Sequence, residues 1–191
     1  MRFIVLDGLD GAGKDTHARL IKKRYEERGE NVIIRSHPSQ DNVFGKNAKR
    51  ALLDCDKLSR PKATMFYTFD VLNSLLNYYG KADTVIFVRY LGGVAYLPQP
   101  IAENLYTLLS RIFPTSRYMI FLDVDPKDAL KRVNKREETE IFENEKDLKK
   151  VKNRALSTMD DWHIVDTSQP IEEAQKDIVK ILDRMDQKRQ K

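Results

Sequence analysis

Short apolar runs alternate with longer amphipathic stretches along the whole chain. Each run is compact and rich in β-branched residues, a pattern that is typical of buried strands. The five runs are Phe3–Leu6, Val32–Ile34, Thr84–Val88, Tyr118–Val124 and His163–Val165. Strands that alternate with helices form mainly parallel sheets with helices on both faces. The pattern therefore predicts a three-layer α/β fold around a five-stranded parallel sheet.

The helices between these runs have recognisable ends. The first starts at Lys14 and ends near Arg28, because the Gly29 that follows is a natural helix terminator. The next starts behind Ser59 and ends at Gly80. Two later helices open with a capping residue followed by proline, at Asp125-Pro126 and at Ser168-Gln169-Pro170. Residues 184–191 at the end of the chain are predicted to fray.

Composition places the chain among globular proteins of a reducing compartment. Its 191 residues suit a single domain, 1–191. The only cysteine, Cys55, excludes an intramolecular disulfide and a zinc site built from several cysteines. No apolar run approaches the ~20 residues of a membrane span, and the amino terminus lacks the layout of a signal peptide. We therefore expect a cytoplasmic protein without a membrane partner.

Charge adds little to this interpretation. The net charge is +5 and the isoelectric point is near 9.2. The basic excess is spread along the chain, so it favours anionic ligands only weakly and predicts no nucleic-acid groove. In the densely charged stretch 131–152, the charge pattern alone favours a solvated helical face.

A glycine-rich loop follows the first predicted strand directly. Gly8, Gly13 and Lys14 satisfy the spacing G-x-x-x-x-G-K. The glycines let backbone N–H groups turn inward around a phosphate, the lysine neutralises its charge, and the next helix directs its amino terminus at the same anion. The sequence therefore predicts nucleotide binding. A serine or threonine usually follows the lysine to bind Mg²⁺, whereas this chain has Asp15 and then Thr16, and the carboxylate either ligates the metal or repels phosphate.

Further motifs follow the loop in order. They are Arg50-Ala51-Leu52-Leu53, Met65-Phe66-Tyr67, Val85-Ile86-Phe87-Val88-Arg89-Tyr90, Gly93-Val94-Ala95-Tyr96, Leu122-Asp123-Val124-Asp125-Pro126 and Val165-Asp166-Thr167-Ser168-Gln169-Pro170. Together with the loop Asp7–Lys14, this series resembles the thymidylate kinases. The resemblance implies a P-loop kinase fold with a helical lid at about residues 132–152. It also implies ATP as donor, Mg²⁺ as cofactor, small nucleotides as partners, and a homodimer.

The resemblance assigns roles to individual residues. ATP would be bound by Gly8, Leu9, Asp10, Gly11, Ala12, Gly13, Lys14, Asp15, Thr16 and Arg132. The acceptor would be bound by Asp10, His37, Pro38, Arg50, Phe66, Asp70, Arg89 and Tyr96, with the Phe66 ring stacked on the base. Lys14, Arg89 and Arg136 are the implied catalytic residues, because they place cations around the transferring phosphoryl group.

Four departures from the family pattern fall on the acceptor and metal side. Val88 replaces an aspartate, Ser36-His37 replaces Arg-Glu before Pro38, Asp70 replaces a base-reading arginine, and the segment Arg89–Tyr96 is one residue shorter. We hypothesise that Asp15 replaces, as a metal ligand, the carboxylate lost at Val88. A second hypothesis is that Asp70 accepts a hydrogen bond from a base amino group, which would shift the preference away from thymine.

The motifs favour ATP-dependent phosphorylation of dTMP to dTDP. Two alternatives stay open: a kinase for another nucleotide or for a nucleoside, and a nucleotide-binding protein with little turnover. The cations at positions 89, 132 and 136 favour transfer over binding alone. For the homodimer, four apolar residues supply either a helix-packed interface or part of the core: Leu72, Leu75, Leu76 and Tyr79.

Overall fold

The structure, a computed structural model, describes residues 1–53, 59–133, 145–159 and 161–190. Within these residues its strands are β1 (Arg2–Gly8), β2 (Val32–Ser36), β3 (Thr84–Val88), β4 (Tyr118–Asp123) and β5 (His163–Asp166). Its helices are α1 (Lys14–Glu26), α2 (Val43–Leu53), α3 (Ser59–Tyr78), α4 (Gln99–Ile112), α5 (Pro126–Val133), α6 (Glu145–Thr158) and α7 (Ile171–Gln190). A 3₁₀ helix (Gly92–Tyr96) lies between β3 and α4.

The five strands form one parallel sheet in the order β2-β3-β1-β4-β5. In the central strand β1, Leu6 pairs with Val88 of β3 on one side, and Gly8 pairs with Leu122 of β4 on the other. Parallel strands place all their carboxyl ends at one edge, where open α/β sheets bind ligands. The segments that follow β1, β3 and β4 therefore meet at this edge.

Burial explains why the apolar runs form strands. Residues 3–6 of β1 and all five residues of β3 are buried without interruption. Because successive side chains of a strand point to opposite faces, such runs require that both faces of the sheet are covered. Helices α1 and α7, which are hydrogen-bonded to each other through His17 and Gln175, pack against the strands, and residues of the 3₁₀ helix, α4 and α6 belong to the same hydrophobic core. The predicted α/β fold with five parallel strands is confirmed.

A charge network around Arg2 lies at the opposite edge of the sheet, where the strands begin. The Arg2 guanidinium contacts Glu30 at 2.5 Å and Asp186 at 2.8 Å, and its Cζ lies 4.0 Å from the centre of the Tyr25 ring. Asp186 lies on α7, next to the buried Met185. The prediction that the chain frays from residue 184 is therefore wrong, because these contacts hold α7 in helical form as far as Gln190.

One helix is missed by the prediction, and one charged stretch is described only in part. Helix α4 is not predicted from the sequence pattern, although Ala102, Leu105 and Leu109 pack against the core. In the charged stretch 131–152, α5 ends at Val133 and α6 begins at Glu145, and positions 134–144 lie outside the described residues. None of the helices described combines the length and the apolar character that crossing a membrane requires.

Candidate active site

The glycine-rich loop leaves β1 at Gly8 and enters α1 at Lys14. Gly8 has a φ of 147°, and a Cβ atom there would lie 2.3 Å from the Leu122 carbonyl oxygen of β4. Gly11 has a φ of 82°, and a Cβ atom there would lie 2.6 Å from the Ala129 carbonyl oxygen of α5. Only glycine satisfies both the backbone angle and the space at these positions. Close backbone contacts with β4 and α5 therefore fix the shape of the loop.

Lys14 is buried within the loop. Its Nζ donates hydrogen bonds to the carbonyl oxygens of Gly8 at 2.9 Å and Leu9 at 2.7 Å, and lies 3.5 Å from Asp10 Oδ1. Burial and the nearby Arg89 guanidinium lower the pKa of Lys14 to about 8. A phosphate beside this ammonium would favour its charged form. The position of Lys14 therefore suits the phosphate contact expected of it.

A cavity of about 550 Å³ opens between the loop and the turn from β5 into α7. This volume is in the usual range for a small-molecule site. Arg132 lines it, donating from Nη1 to the Gly11 carbonyl at 3.2 Å and from Nη2 to the Thr167 carbonyl at 3.0 Å. The full lining is Gly11, Ala12, Gly13, Thr16, His17, Arg132, Thr167, Ser168, Gln169, Pro170 and Ile171. Five of the residues predicted to bind ATP therefore line one cavity: Gly11, Ala12, Gly13, Thr16 and Arg132.

The rest of that set lies elsewhere. Leu9 is buried in the hydrophobic core, whereas Asp10 and Asp15 contact Arg89. His17, which is not among the residues predicted to bind ATP, also lines the cavity. Its Nδ1 lies 2.8 Å from Gln175 Oε1, which ties α1 to α7, and burial lowers its pKa.

Arg89 follows β3 directly and has a φ of 60°, which is unusual for a residue with a side chain. Such a conformation costs about 1–3 kcal/mol and persists only where the surroundings enforce it. The guanidinium, 24% exposed, lies 3.2 Å from Asp15 Oδ2 and 3.5 Å from Asp10 Oδ1. Burial opposes its charge, but these two carboxylates raise the pKa of Arg89 above its usual value. Two cations, Lys14 and Arg89, therefore meet two carboxylates at the carboxyl edge of the sheet.

Asp7 fixes the segment that carries Arg89, a role that the sequence interpretation missed. Its buried Oδ2 accepts hydrogen bonds from the backbone N–H groups of Tyr90 and Gly92, both at 2.8 Å. A Cβ atom at Gly92 would lie 2.4 Å from the Asp7 carboxyl carbon. Burial raises the pKa of Asp7, and the two N–H donors oppose that shift. An acid inside an otherwise apolar strand is the sequence feature that indicates such a role.

His37 also holds Arg89, and does not face the open side of the site. Its Nδ1 lies 2.9 Å from the Arg89 carbonyl oxygen, and its ring packs against Phe87, with 5.1 Å between ring centres. Burial lowers the pKa of His37, so the neutral ring donates this bond from Nδ1. The predicted acceptor contact at His37 is replaced here by a contact with the backbone of Arg89.

Asp70 is fully buried, and three donors occupy its carboxylate. They are the Ser39 backbone N–H at 2.7 Å, the Ser39 hydroxyl at 2.6 Å and the Asn42 Nδ2 at 2.7 Å. A carboxylate that is 0% exposed is not presented to a base amino group. In place of the hypothesised base contact, the structure gives Asp70 the task of fixing the segment 39–42 between β2 and α2.

The remaining predicted residues are spread around the acceptor side. Tyr96 donates from its hydroxyl to Asp10 Oδ2 at 3.0 Å, which brings it into the carboxylate cluster. Phe66 is half-buried on α3, Pro38 is half-buried behind β2, and Arg50 is exposed on α2. Arg136 and most of the predicted lid connection lie outside the described residues. The structure therefore brings Tyr96 and Arg89 together but leaves Arg136 without a position.

Asp15 is the candidate metal ligand. Its Oδ1 accepts a hydrogen bond from the Ser36 hydroxyl at 2.9 Å, opposite the Arg89 contact. Burial would raise its pKa, but Arg89 and Ser36 outweigh burial and hold the pKa of Asp15 below its usual value. Across the described ranges, no three His, Cys, Asp or Glu side chains form a group able to hold a metal. An ionised Asp15 and the adjacent Thr16 hydroxyl are oxygen donors of the kind that Mg²⁺ uses together with substrate phosphates.

Comparison with known proteins gives a consistent result. The family model for thymidylate kinase matches residues 6–178. A protein of Archaeoglobus fulgidus described as a probable thymidylate kinase is 30% identical over 188 residues, which cover 94% of each chain. A protein of Pyrococcus abyssi with the same description is 27% identical over 195 residues, covering 94% of this chain and 95% of that one.

A solved structure agrees in fold. The thymidylate kinase of Candida albicans superposes with a TM-score of 0.76 at 20% identity, covering 97% of this chain and 92% of that one. That enzyme is described as having broad substrate specificity.

Proposed function

This chain belongs to the thymidylate kinase family and is a nucleoside monophosphate kinase, and we propose that it transfers the γ-phosphoryl group of ATP to dTMP, giving ADP and dTDP. The observation that carries this proposal is the meeting of Lys14 and Arg89 at the carboxyl edge of the sheet, within 3.5 Å of Asp10. Phosphoryl transfer needs positioning and charge stabilisation rather than covalent chemistry from the protein. Two cations beside a phosphate-binding loop supply both.

We assign the donor to the loop side of the site. The cavity behind the loop takes the adenosine part of ATP, with Arg132 against the base, and Lys14 contacts the phosphates. Because the Lys14 ammonium already lies against two loop carbonyls, little reorganisation is needed to present it to an anion. Arg89 lies between the loop and the acceptor side, where it can contact the transferring group.

We assign the acceptor to the side of Asp10, Tyr96 and Phe66. The Tyr96 hydroxyl and Asp10 carboxylate are hydrogen-bonded to each other and offer polar contacts to the sugar. The half-buried Phe66 ring on α3 offers a face for stacking on the base, worth ~1–3 kcal/mol in comparable nucleic-acid settings. Arg136 is proposed as a further catalytic cation on the basis of the sequence motif alone.

The residues present fit Mg²⁺. Asp15, ionised and 43% exposed, and Thr16 at the start of α1 would hold the ion together with ATP phosphates. When bound, Mg²⁺ supplies positive charge to the phosphates. The Ser36 hydroxyl orients the Asp15 carboxylate by donating a hydrogen bond to it.

A second acceptor class is favoured by one observation. Asp70, where the family has a base-reading arginine, is buried against Ser39 and Asn42 and leaves no cation at that position. A site without this cation discriminates less strongly between base carbonyl and amino groups. Phosphorylation of another nucleotide, or of a nucleoside, is therefore the alternative to dTMP, and little turnover on any acceptor is the remaining one.

We also propose that the chain forms a homodimer through α3. A line of exposed apolar side chains runs along this helix at alternating spacings of four and three, as in helix pairs that pack along their length. These residues are Met65, Phe69, Leu72 and Leu76 on α3, and Tyr79 directly after its end. Leu75, on the other hand, packs against the core. The cytoplasmic location, the single domain and the absence of a nucleic-acid partner stay predictions from the sequence.

An acceptor screen tests the proposed function. ADP release from ATP is measured with dTMP, dUMP, dCMP, dGMP, their ribose forms and thymidine, each with and without Mg²⁺. We expect dTMP to give the highest kcat/KM, because the motif series and the stacking face both match that family. Highest turnover with a different acceptor would establish the alternative, and ADP release no faster than without acceptor would contradict a kinase.

A magnesium titration tests the role of Asp15. In Asp15→Ala, the Mg²⁺ concentration that gives half-maximal activity should rise about tenfold, because one carboxylate ligand is lost. Ser36→Ala is the matched control: it removes the hydroxyl that orients Asp15 but keeps the charge, so we expect less than about a threefold rise. An Asp15→Ala titration that overlays the wild type would rule out Asp15 as a ligand.

Light scattering tests the dimer. Leu76 is 74% exposed, so Leu76→Glu should leave the fold intact and yield a monomer, since a carboxylate cannot be buried in an apolar contact. Ile112→Glu, at an exposed apolar position of α4, is the control and should remain dimeric. A monomeric wild type, or dissociation only in the α4 variant, would show that α3 is not the interface.

A further inference from the structure

Helix α6 lies between the donor and acceptor sides of the site. Its apolar face, Leu148, Val151 and Ala155, is buried. Lys152 anchors it to the end of β4, with its Nζ 2.6 Å from Asp123 Oδ1 and 3.3 Å from the Val124 carbonyl oxygen. The same strand end is linked to the donor cavity, because the Asp123 carbonyl oxygen accepts a hydrogen bond from Thr167, which lines that cavity.

Two residues further along α6, Arg154 contacts the acceptor side. Its Nη1 donates to the carbonyl oxygens of Ala95 at 3.1 Å and Leu97 at 2.5 Å. These carbonyls lie on either side of Tyr96, at the carboxyl end of the 3₁₀ helix. Carbonyls at a helix end lack partners within the helix, and a cation there satisfies them and interacts well with the local dipole. Arg154 therefore determines where this helix end lies.

The position of Tyr96 carries the effect to the reacting groups. Its hydroxyl reaches Asp10 Oδ2 at 3.0 Å, and Asp10 Oδ1 lies 3.5 Å from both Lys14 Nζ and Arg89 Nη2. A shift of the 3₁₀ helix would move the Tyr96 hydroxyl away from Asp10. It would thereby change the surroundings of both cations.

We propose that Arg154 is a positioning residue, which braces the 3₁₀ helix against α6 and so holds Tyr96 on Asp10 in the acceptor site. The consequence for catalysis rests on the proposed function, because Tyr96 is assigned to the acceptor there. The brace itself does not depend on it. The carbonyls of Ala95 and Leu97 that Arg154 contacts flank Tyr96, so α6 acts directly on the backbone next to this residue.

Kinetics of three variants test the proposal. Arg154→Met removes both hydrogen bonds, and we expect the acceptor KM to rise about tenfold, while the Kd of ATP measured without acceptor changes less than about twofold. Arg154→Lys retains a donor and a charge and should recover part of the acceptor affinity. Lys149→Met, at an exposed position of the same helix, is the matched control and should behave as wild type.

Two further readouts separate the brace from a general loss of stability. In nucleotide-free protein, Arg154→Met should speed amide hydrogen exchange in residues 92–97 at least about fivefold, with α1 and β1 unchanged. If Arg154→Met does not fold, exchange is measured in Arg154→Lys instead, where we expect a smaller increase in the exchange rate of residues 92–97. If the acceptor screen finds activity, the acceptor KM of the double variant Tyr96→Phe/Arg154→Met should be no higher than that of the more strongly affected single variant, because both substitutions act on one contact.

The outcomes are distinguishable from a failure of the proposed function. If the wild type phosphorylates no acceptor, the proposed function fails, and the exchange experiment still decides whether Arg154 braces the 3₁₀ helix. Unchanged exchange in residues 92–97 would overturn the brace. Fully additive kinetic effects of the two substitutions, or equal rises in the acceptor KM and the ATP Kd, would overturn its action through Tyr96.

Discussion

The rest of the site depends on holding two cations close together with little access to water. Lys14 and Arg89 both lie at the carboxyl edge of the sheet, where burial and the Arg89 charge lower the pKa of Lys14. Asp10 and Asp15 make the arrangement stable by facing Arg89, and Asp10 also approaches Lys14. Asp10, Lys14 and Asp15 follow β1, whereas Arg89 follows β3, so the four residues meet only if these two strands are neighbours. The parallel sheet with β1 beside β3 provides that.

The same constraint explains why residues without a direct part in the reaction fix the backbone around Arg89. The backbone of Arg89 has a positive φ, and three contacts hold its surroundings. Its N–H donates to the Leu6 carbonyl at 3.0 Å, His37 contacts its carbonyl, and Asp7 binds the next N–H groups. Each contact fixes the backbone rather than the guanidinium. The proposed function requires the side chain to exchange its carboxylate partners for phosphate, and these backbone contacts leave the guanidinium able to do so.

Much of this arrangement can be predicted from the sequence, because it depends on local pattern. Buried β-branched runs predict the strands, and the spacing of Gly8, Gly13 and Lys14 predicts the loop. What depends on contacts between distant residues cannot be predicted in that way. His37 and Asp70 align with acceptor-binding positions, yet burial directs them to Arg89 and to Ser39. Likewise, nothing near Asp186 indicates that Arg2, far away in sequence, holds the end of α7 in place. The sequence therefore predicts the elements and the loop better than the direction of each polar side chain.

We propose that the forked guanidinium of Arg89, held by a fixed backbone, stabilises the charge of the transferring phosphoryl group. The most direct measurement is kcat of Arg89→Lys at saturating ATP and the preferred acceptor, together with the Kd of ATP. Lysine keeps the charge but lacks the planar fork that contacts two oxygens at once. We predict a fall in kcat of at least about 100-fold with the ATP Kd changed by less than about threefold. A kcat within about threefold of the wild type would contradict the account.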